Sequence, residues 1–311
     1  MNRLPPNTGS SKFKHSQSVS GFTMIELLVG AILAVLIISP LMGFVVSILE
    51  DNKREEAKVA SDQEVQAALN FIKEDLSQAV HIYDRTGVAA LNDANGIQKI
   101  NKTPILVFWK RKLVPDILPV NGTDCTAGCN DTFVYSLVTY YVTEEANATW
   151  SNQARIERVE ISGAVSNPSV PANPYQPADP GYADFDPKDW NAWTKDQNQN
   201  LPPTDVLIDY IDASVDINPA PADADCQRIL ARSTGSSNAQ LISDQSLNGA
   251  NGGSSYGFYA CVDTEKNIAQ VNIRGNGLAR IQPNNATYDP QKKANFPTGS
   301  VVVRGLSGFG E

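Results

Sequence analysis

Histidine is almost missing from this chain: there are two in 311 residues, His15 and His81. The commonest general base and zinc ligand is therefore absent from most of the polypeptide. Gly253-Ser254-Ser255-Tyr256-Gly257 fits G-x-S-x-G in form. A Gly/Ser stretch precedes it and no histidine follows, so it is not expected to act as a nucleophile elbow. Gly275-Asn276-Gly277-Leu278-Ala279 begins like a dinucleotide fingerprint, but Arg280 stands where the last glycine belongs. Neither H-E-x-x-H nor a Walker lysine occurs. The chain reads as a non-enzyme, with no catalytic residue, no metal and no cofactor expected. Basic residues are also outnumbered, 25 Lys and Arg against 34 Asp and Glu, for a formal net charge of −9. A nucleic-acid partner needs a basic face to neutralise phosphates, so none is expected. The acidity suits a soluble exported domain.

What the chain does have is one long apolar run. Residues 21–49 read GFTMIELLVGAILAVLIISPLMGFVVSIL, and the 23 residues from 27 to 49 carry no charge. At about 1.5 Å per residue they span about 35 Å as a helix, enough to cross a bilayer core of about 30 Å. Glu26 lies inside the first turns of this run. A carboxylate at bilayer depth costs roughly 2.5–3.5 kcal/mol at the centre and less near an end, so it usually has a partner. The polar, basic leader and the mixed-charge flank over residues 50–56 place the N-terminus in the cytoplasm and the bulk outside. The apolar run is too long for an ordinary secretory signal peptide.

Gly21-Phe22-Thr23-Met24-Ile25-Glu26, followed by this run, resembles the class III signal of type IV prepilins and pseudopilins. The resemblance implies cleavage after Gly21 by a prepilin peptidase, so that residues 1–21 are a removed leader. Phe22 then becomes an N-methylated terminus. It also implies that Glu26 pairs with an N-terminal amine during filament assembly. Loss of Arg3, Lys12 and Lys14 with the leader takes the net charge from −9 to −12. Residues 22–83 are expected to form one helix, membrane-spanning over 22–49 and amphipathic over 50–83. Val65, Leu69, Ile72, Leu76, Val80 and Tyr83 recur at steps of three and four, a core-facing stripe. Pro40 and Gly43 are expected to mark a bend, since proline removes one helical hydrogen bond and crowds the preceding turn.

From residue 84 to 311 the pattern turns to β. Residues 86–101 read as a turn-rich connection. Strands are expected at 104–109, 132–143, 155–161, 205–211, 256–262, 268–274 and 300–304. Two loops interrupt them. Residues 163–204 are rich in Pro, Asp, Asn and Gln and carry Tyr182, Phe185, Trp190 and Trp193, which are expected to dock. Residues 218–255 are low in complexity and expected to be flexible. The fold class is therefore α+β and pilin-like, a long N-terminal helix packed on an antiparallel sheet with long loops.

The four cysteines follow the span, in a compartment that permits disulfides. They allow three pairings. Cys125–Cys129 and Cys226–Cys261 are favoured, the first closing a tight turn at Gly128 and the second a long loop. The competing reading, a zinc site, lacks a nearby histidine. Asp205, Asp209, Asp212, Asp216, Asp223 and Asp225 form an acidic series without EF-hand spacing, read as a solvated face rather than a calcium site.

The helix QAALNFIKEDLSQAVHIYD resembles that of minor pseudopilins of the W and J types. The LIDYID, IRGNGLARI and FPTGSVVVRG segments resemble cyanobacterial hormogonium polysaccharide secretion pseudopilins of the C type. The implied function is that of a minor pilin or pseudopilin. It would be a structural subunit of a type IV pilus-like or type II secretion-like filament serving polysaccharide secretion and gliding motility. The implied partners are the prepilin peptidase, other pilins or pseudopilins, the inner-membrane assembly platform and the secreted polysaccharide. The implied location is the inner membrane, with the C-terminal domain periplasmic. Two rival readings stand beside it. One is a membrane-anchored periplasmic enzyme or glycan-binding module with a pocket around Trp190 and Trp193; the other is a major pilin.

Overall fold

A computed structural model of the chain describes residues 21–122, 124–145, 148–170, 172–214, 222–244, 247, 257–283 and 286–306. The leader over 1–20, Asp216 and the 253–256 part of the G-x-S-x-G match lie outside the described residues. The chain forms two compact units, residues 1–52 and 53–311. The class is α+β, one long apolar helix followed by antiparallel sheets.

Helix α1 (Met24–Ser77) runs through Pro40 and Gly43 without interruption. In the first unit its side chains are exposed around the whole circumference. In the second unit one stripe is buried: Ser61, Val65, Ala68, Leu69, Ile72, Asp75 and Leu76. The helix stops short of the expected end at residue 83. Gln78 N–H bonds back to Asp75 O at 3.2 Å, tightening the last turn. Ala79–Ile82 is then strand β1, antiparallel to β2 with Ile82 opposite Phe108. Val80 and Ile82 are β-branched, and pairing with the sheet outweighs the helical spacing that Val80 and Tyr83 also satisfy.

The connection after β1 contains a short helix, α2 (Arg85–Leu91), where a turn-rich segment is expected. Asp84 caps it, accepting from Gly87 N at 2.9 Å. Strand β2 (Thr103–Pro119) is far longer than the apolar core PILVFW that announces it. It continues through Lys110, Arg111 and Lys112 because Lys110 is buried against Asp75. Strands β3 (Cys129–Thr143), β4 (Ala154–Ser162) and β5 (Asp205–Ile211) complete a five-stranded sheet in the order β1-β2-β3-β4-β5.

The remaining strands do not extend that sheet. They form a second one, β6 (Gln240–Ile242), β7 (Phe258–Asp263), β8 (Ile268–Arg274) and β9 (Thr298–Arg304), in that order and antiparallel. The expectation of a single sheet is corrected. The two sheets meet at a bridge between Ile211 and Gly275. They also share the outer half of α1. A Cβ on Gly275 would lie 2.6 Å from Ser61 Oγ, and one on Gly299 2.5 Å from Leu69 Cδ1. Only glycine lets the strand ends approach the helix this closely.

The 218–255 segment is also not wholly a loop. It holds α3 (Asp223–Thr234) and β6. Ala222 N–H donates to Asp225 Oδ2 at 3.0 Å at the start of α3, and Gly235 ends the helix at φ 81°. Cys226 and Leu230 pack with Leu241, Cys261 and Ile268 as a small core of their own. Low complexity hid this helix, whose apolar face rests on few residues.

Candidate functional site

The residues with a sequence-derived role fall into three places. Gly21, Phe22 and Glu26 sit together at the start of α1. Pro40 and Gly43 lie further along it, Pro40 being about 21 Å from Glu26 by helical rise. The cysteines lie in the second unit.

Gly21 and Phe22 precede the helix in an exposed segment, with Phe22 79 % exposed. Thr23 then caps α1. Its backbone carbonyl accepts from Glu26 N and Leu27 N, each at 3.1 Å. Its hydroxyl oxygen lies 3.3 Å from Glu26 N and donates to Glu26 Oε2 at 3.4 Å. Thr23-Met24-Ile25-Glu26 has the T-x-x-E spacing of a capping box, in which threonine and glutamate satisfy the free amides of the first turn. Thr23 thus closes the helix end, and the Glu26 carboxylate accepts from its hydroxyl. The T-x-x-E spacing in the sequence is the signal for this role of Thr23. Acid in a first turn also meets the positive end of the helix dipole. Beyond it the helix is long and apolar enough to cross a membrane, and none of its most apolar window is buried within the protein.

In the second unit the helix is fastened to the first sheet by charge. Asp75 accepts from Lys110 Nζ at 2.7 Å, Arg158 Nε at 2.8 Å and Tyr140 OH at 2.6 Å. Glu160 extends the cluster, at 3.2 Å from Lys110, 3.3 Å from Lys112 and paired with Arg158. Burial alone would raise the Glu160 carboxyl, but Lys110, Arg158 and Lys112 outweigh it and hold it at about 2. Burial, followed by the Asp75 charge, pushes the Tyr140 hydroxyl up. No single segment of sequence announces this cluster, because its members come from α1, β2, β3 and β4.

Both favoured disulfides are present. Cys125 and Cys129 bridge the turn between β2 and β3, with Cα atoms 5.1 Å apart and Gly128 at φ 105°. Cys226–Cys261 ties α3 to β7, with Cα atoms 5.2 Å apart. The acidic series is dispersed. Asp209 accepts from Ser151, Asp212 pairs with Arg274, Asp223 with Arg85 and Asp225 with Arg228.

The aromatic loop docks on the domain itself. Trp109 meets Phe185 at 4.5 Å, Trp193 at 5.8 Å and Tyr182 at 6.0 Å between ring centres. Trp190 stacks on His81 at 4.4 Å and on Phe185 at 4.7 Å. Trp109 Nε1 donates to Tyr83 OH at 3.0 Å, and Tyr83 OH donates to Trp190 O at 2.8 Å. Burial lowers His81 to about 4, against the pull of Asp84, so this lone described histidine is neutral near pH 7. Trp193 is buried in the core and Trp190 packs against it, so both rings are engaged by the domain itself.

No protein-family model, curated protein or solved structure matches this chain.

Proposed function

We propose that the chain is a minor pilin or pseudopilin, a non-enzymatic structural subunit of a type IV pilus-like or type II secretion-like filament. The observation that carries this reading is the start of α1. An exposed Gly21-Phe22 step leads into a capped turn holding Glu26, and then into an exposed apolar helix. A peptidase needs the accessible, non-helical peptide that Gly21 and Phe22 offer. A filament needs an apolar helix that can leave lipid for an equally apolar bundle. Glu26, the one acid in the apolar stretch over residues 22–49, sets register there by meeting the amine that cleavage creates at Phe22.

In this reading the subunit waits in the inner membrane with its N-terminus cytoplasmic and its second unit periplasmic. It is processed by a prepilin peptidase and extracted by an inner-membrane assembly platform into a filament of related subunits. The C-terminal sequence resemblance narrows the purpose to polysaccharide secretion linked to hormogonium gliding. Pro40 and Gly43 would give the helix a place to bend during extraction.

Intact-mass measurement and N-terminal sequencing of the protein from cell membranes test the reading. The expected product begins at an N-methylated Phe22. A protein that keeps its first 21 residues in cells, or starts elsewhere, overturns it.

A further inference from the structure

A groove of about 740 Å³ opens between the outer half of α1 and strand β5. We propose that this groove binds a sugar ring of a glycan, stacked between Phe71 and Trp150 and held at its edge by Arg280, Glu64 and Asp209. The inference stands apart from the filament reading and rests on the groove's own chemistry.

The volume lies in the range of small-ligand sites, about 300–1,000 Å³. Phe71 is 44 % exposed and Trp150 41 % exposed, and both line the groove. Large aromatics left this open in a folded domain mark surfaces with a ligand more often than scattered apolar residues do. Tyr210 adds a third ring, from the edge strand of the first sheet. Its backbone sits at φ 57°, a left-handed conformation that a non-glycine residue adopts only under constraint. Asn276 N–H, bonded to Tyr210 O at 2.7 Å, helps hold it there.

The polar groups are placed to read hydroxyls. Arg280 lies 4.4 Å over the Tyr210 ring and pairs with Glu64, while its Nε is buried with no hydrogen-bond partner. Such a donor carries a desolvation penalty that a ligand oxygen removes. Asp209 is fixed by Ser151 N at 2.9 Å and Ser151 Oγ at 2.7 Å, which leaves carboxylate lone pairs for a further donor. A sugar ring has apolar C–H faces and an equator of donors and acceptors, which matches rings flanked by a carboxylate and a guanidinium. A lipid chain would be mismatched to the charged rim, and a nucleic acid to a chain of net charge −9.

The test uses the full chain in detergent micelles. Cellohexaose, maltohexaose and an oligogalacturonate are titrated with calorimetry and tryptophan fluorescence as readouts. At least one should bind with a Kd under about 1 mM. Trp150→Ala and Arg280→Met should each weaken that binding by at least about tenfold with an unchanged circular dichroism spectrum. Phe71→Ala, on an exposed helix face, replaces Trp150→Ala should the latter disturb folding, with the same loss expected. Absence of binding by all three sugars at about 5 mM overturns the proposal, as does binding that folded variants leave untouched. A chain that is never cleaved at Gly21 but binds sugar would sink the filament reading and leave this one standing.

Discussion

Asp75 of α1 and Arg158 of β4 are 83 residues apart in the chain and 2.8 Å apart in space. Lys110, Tyr140 and Glu160 complete the contact, so four elements converge on one buried carboxylate. Such a cluster contributes little if compared with a well-packed apolar replacement, but removing one member strands the others.

Replacement of Asp75 by Ala should therefore destabilise the second unit by about 3–5 kcal/mol. The measurement is urea unfolding followed by tryptophan fluorescence. The midpoint should drop while the slope stays unchanged. Asp75→Asn, which can still accept from Tyr140, should lose less.

The same cluster sets a pH dependence. Glu160 is held at about 2, below its ordinary 4.5, so it binds its proton more weakly in the folded state. The stability it contributes is fully present above about pH 5 and is lost as pH falls toward 2. Thermal midpoints should fall over that window, and Glu160→Gln should flatten the fall.

The two disulfides should differ in weight. Cys226–Cys261 closes a separation of 35 residues and Cys125–Cys129 one of 4. Loop-closure entropy predicts a loss of about 4 kcal/mol for the Cys226→Ser/Cys261→Ser pair and about 2 kcal/mol for Cys125→Ser/Cys129→Ser. Chemical denaturation of the two double variants checks the order. The helix α3 should be the first element to lose amide protection when the longer bridge is removed.

Gly275→Ala places a methyl 2.6 Å from Ser61 Oγ and 3.0 Å from Val65 Cγ2. The clash should destabilise by about 1–3 kcal/mol, as overpacking does. Pairing it with Ser61→Gly should recover part of the loss, since it removes the nearest obstructing atom.

Under the proposed function, Glu26→Gln should leave membrane insertion intact and hinder filament assembly. Counting subunits in sheared filaments against subunits in membranes measures this. Equal incorporation of the variant would argue that the charge at that position sets nothing.

The strands whose sequence alternates or is rich in β-branched residues were legible within a few positions, and the 205–211 and 268–274 limits coincide with β5 and β8. The two cysteine pairs were legible from spacing. What was hidden depended on partners distant in the chain. Lys110 ends an apolar run on paper yet lies inside a strand, because Asp75 neutralises it. Val80 pairs with Tyr83 on the helical period and with Ile82 on the strand alternation, and only β2 decides between them. The split into two sheets was invisible, because strand patterns carry no record of which neighbour they choose. The groove beside β5 was missed for the same reason: Phe71, Trp150, Tyr210 and Arg280 come from four separate segments.

Only Gln78 separates the last residue of α1 from the first of β1. There is no slack at that joint. A tug on the helix would pass straight into β1, with no loop between them to absorb it. With Asp75 riveted two residues before the helix ends, the last turn of the helix and the first sheet are geared to move as one piece.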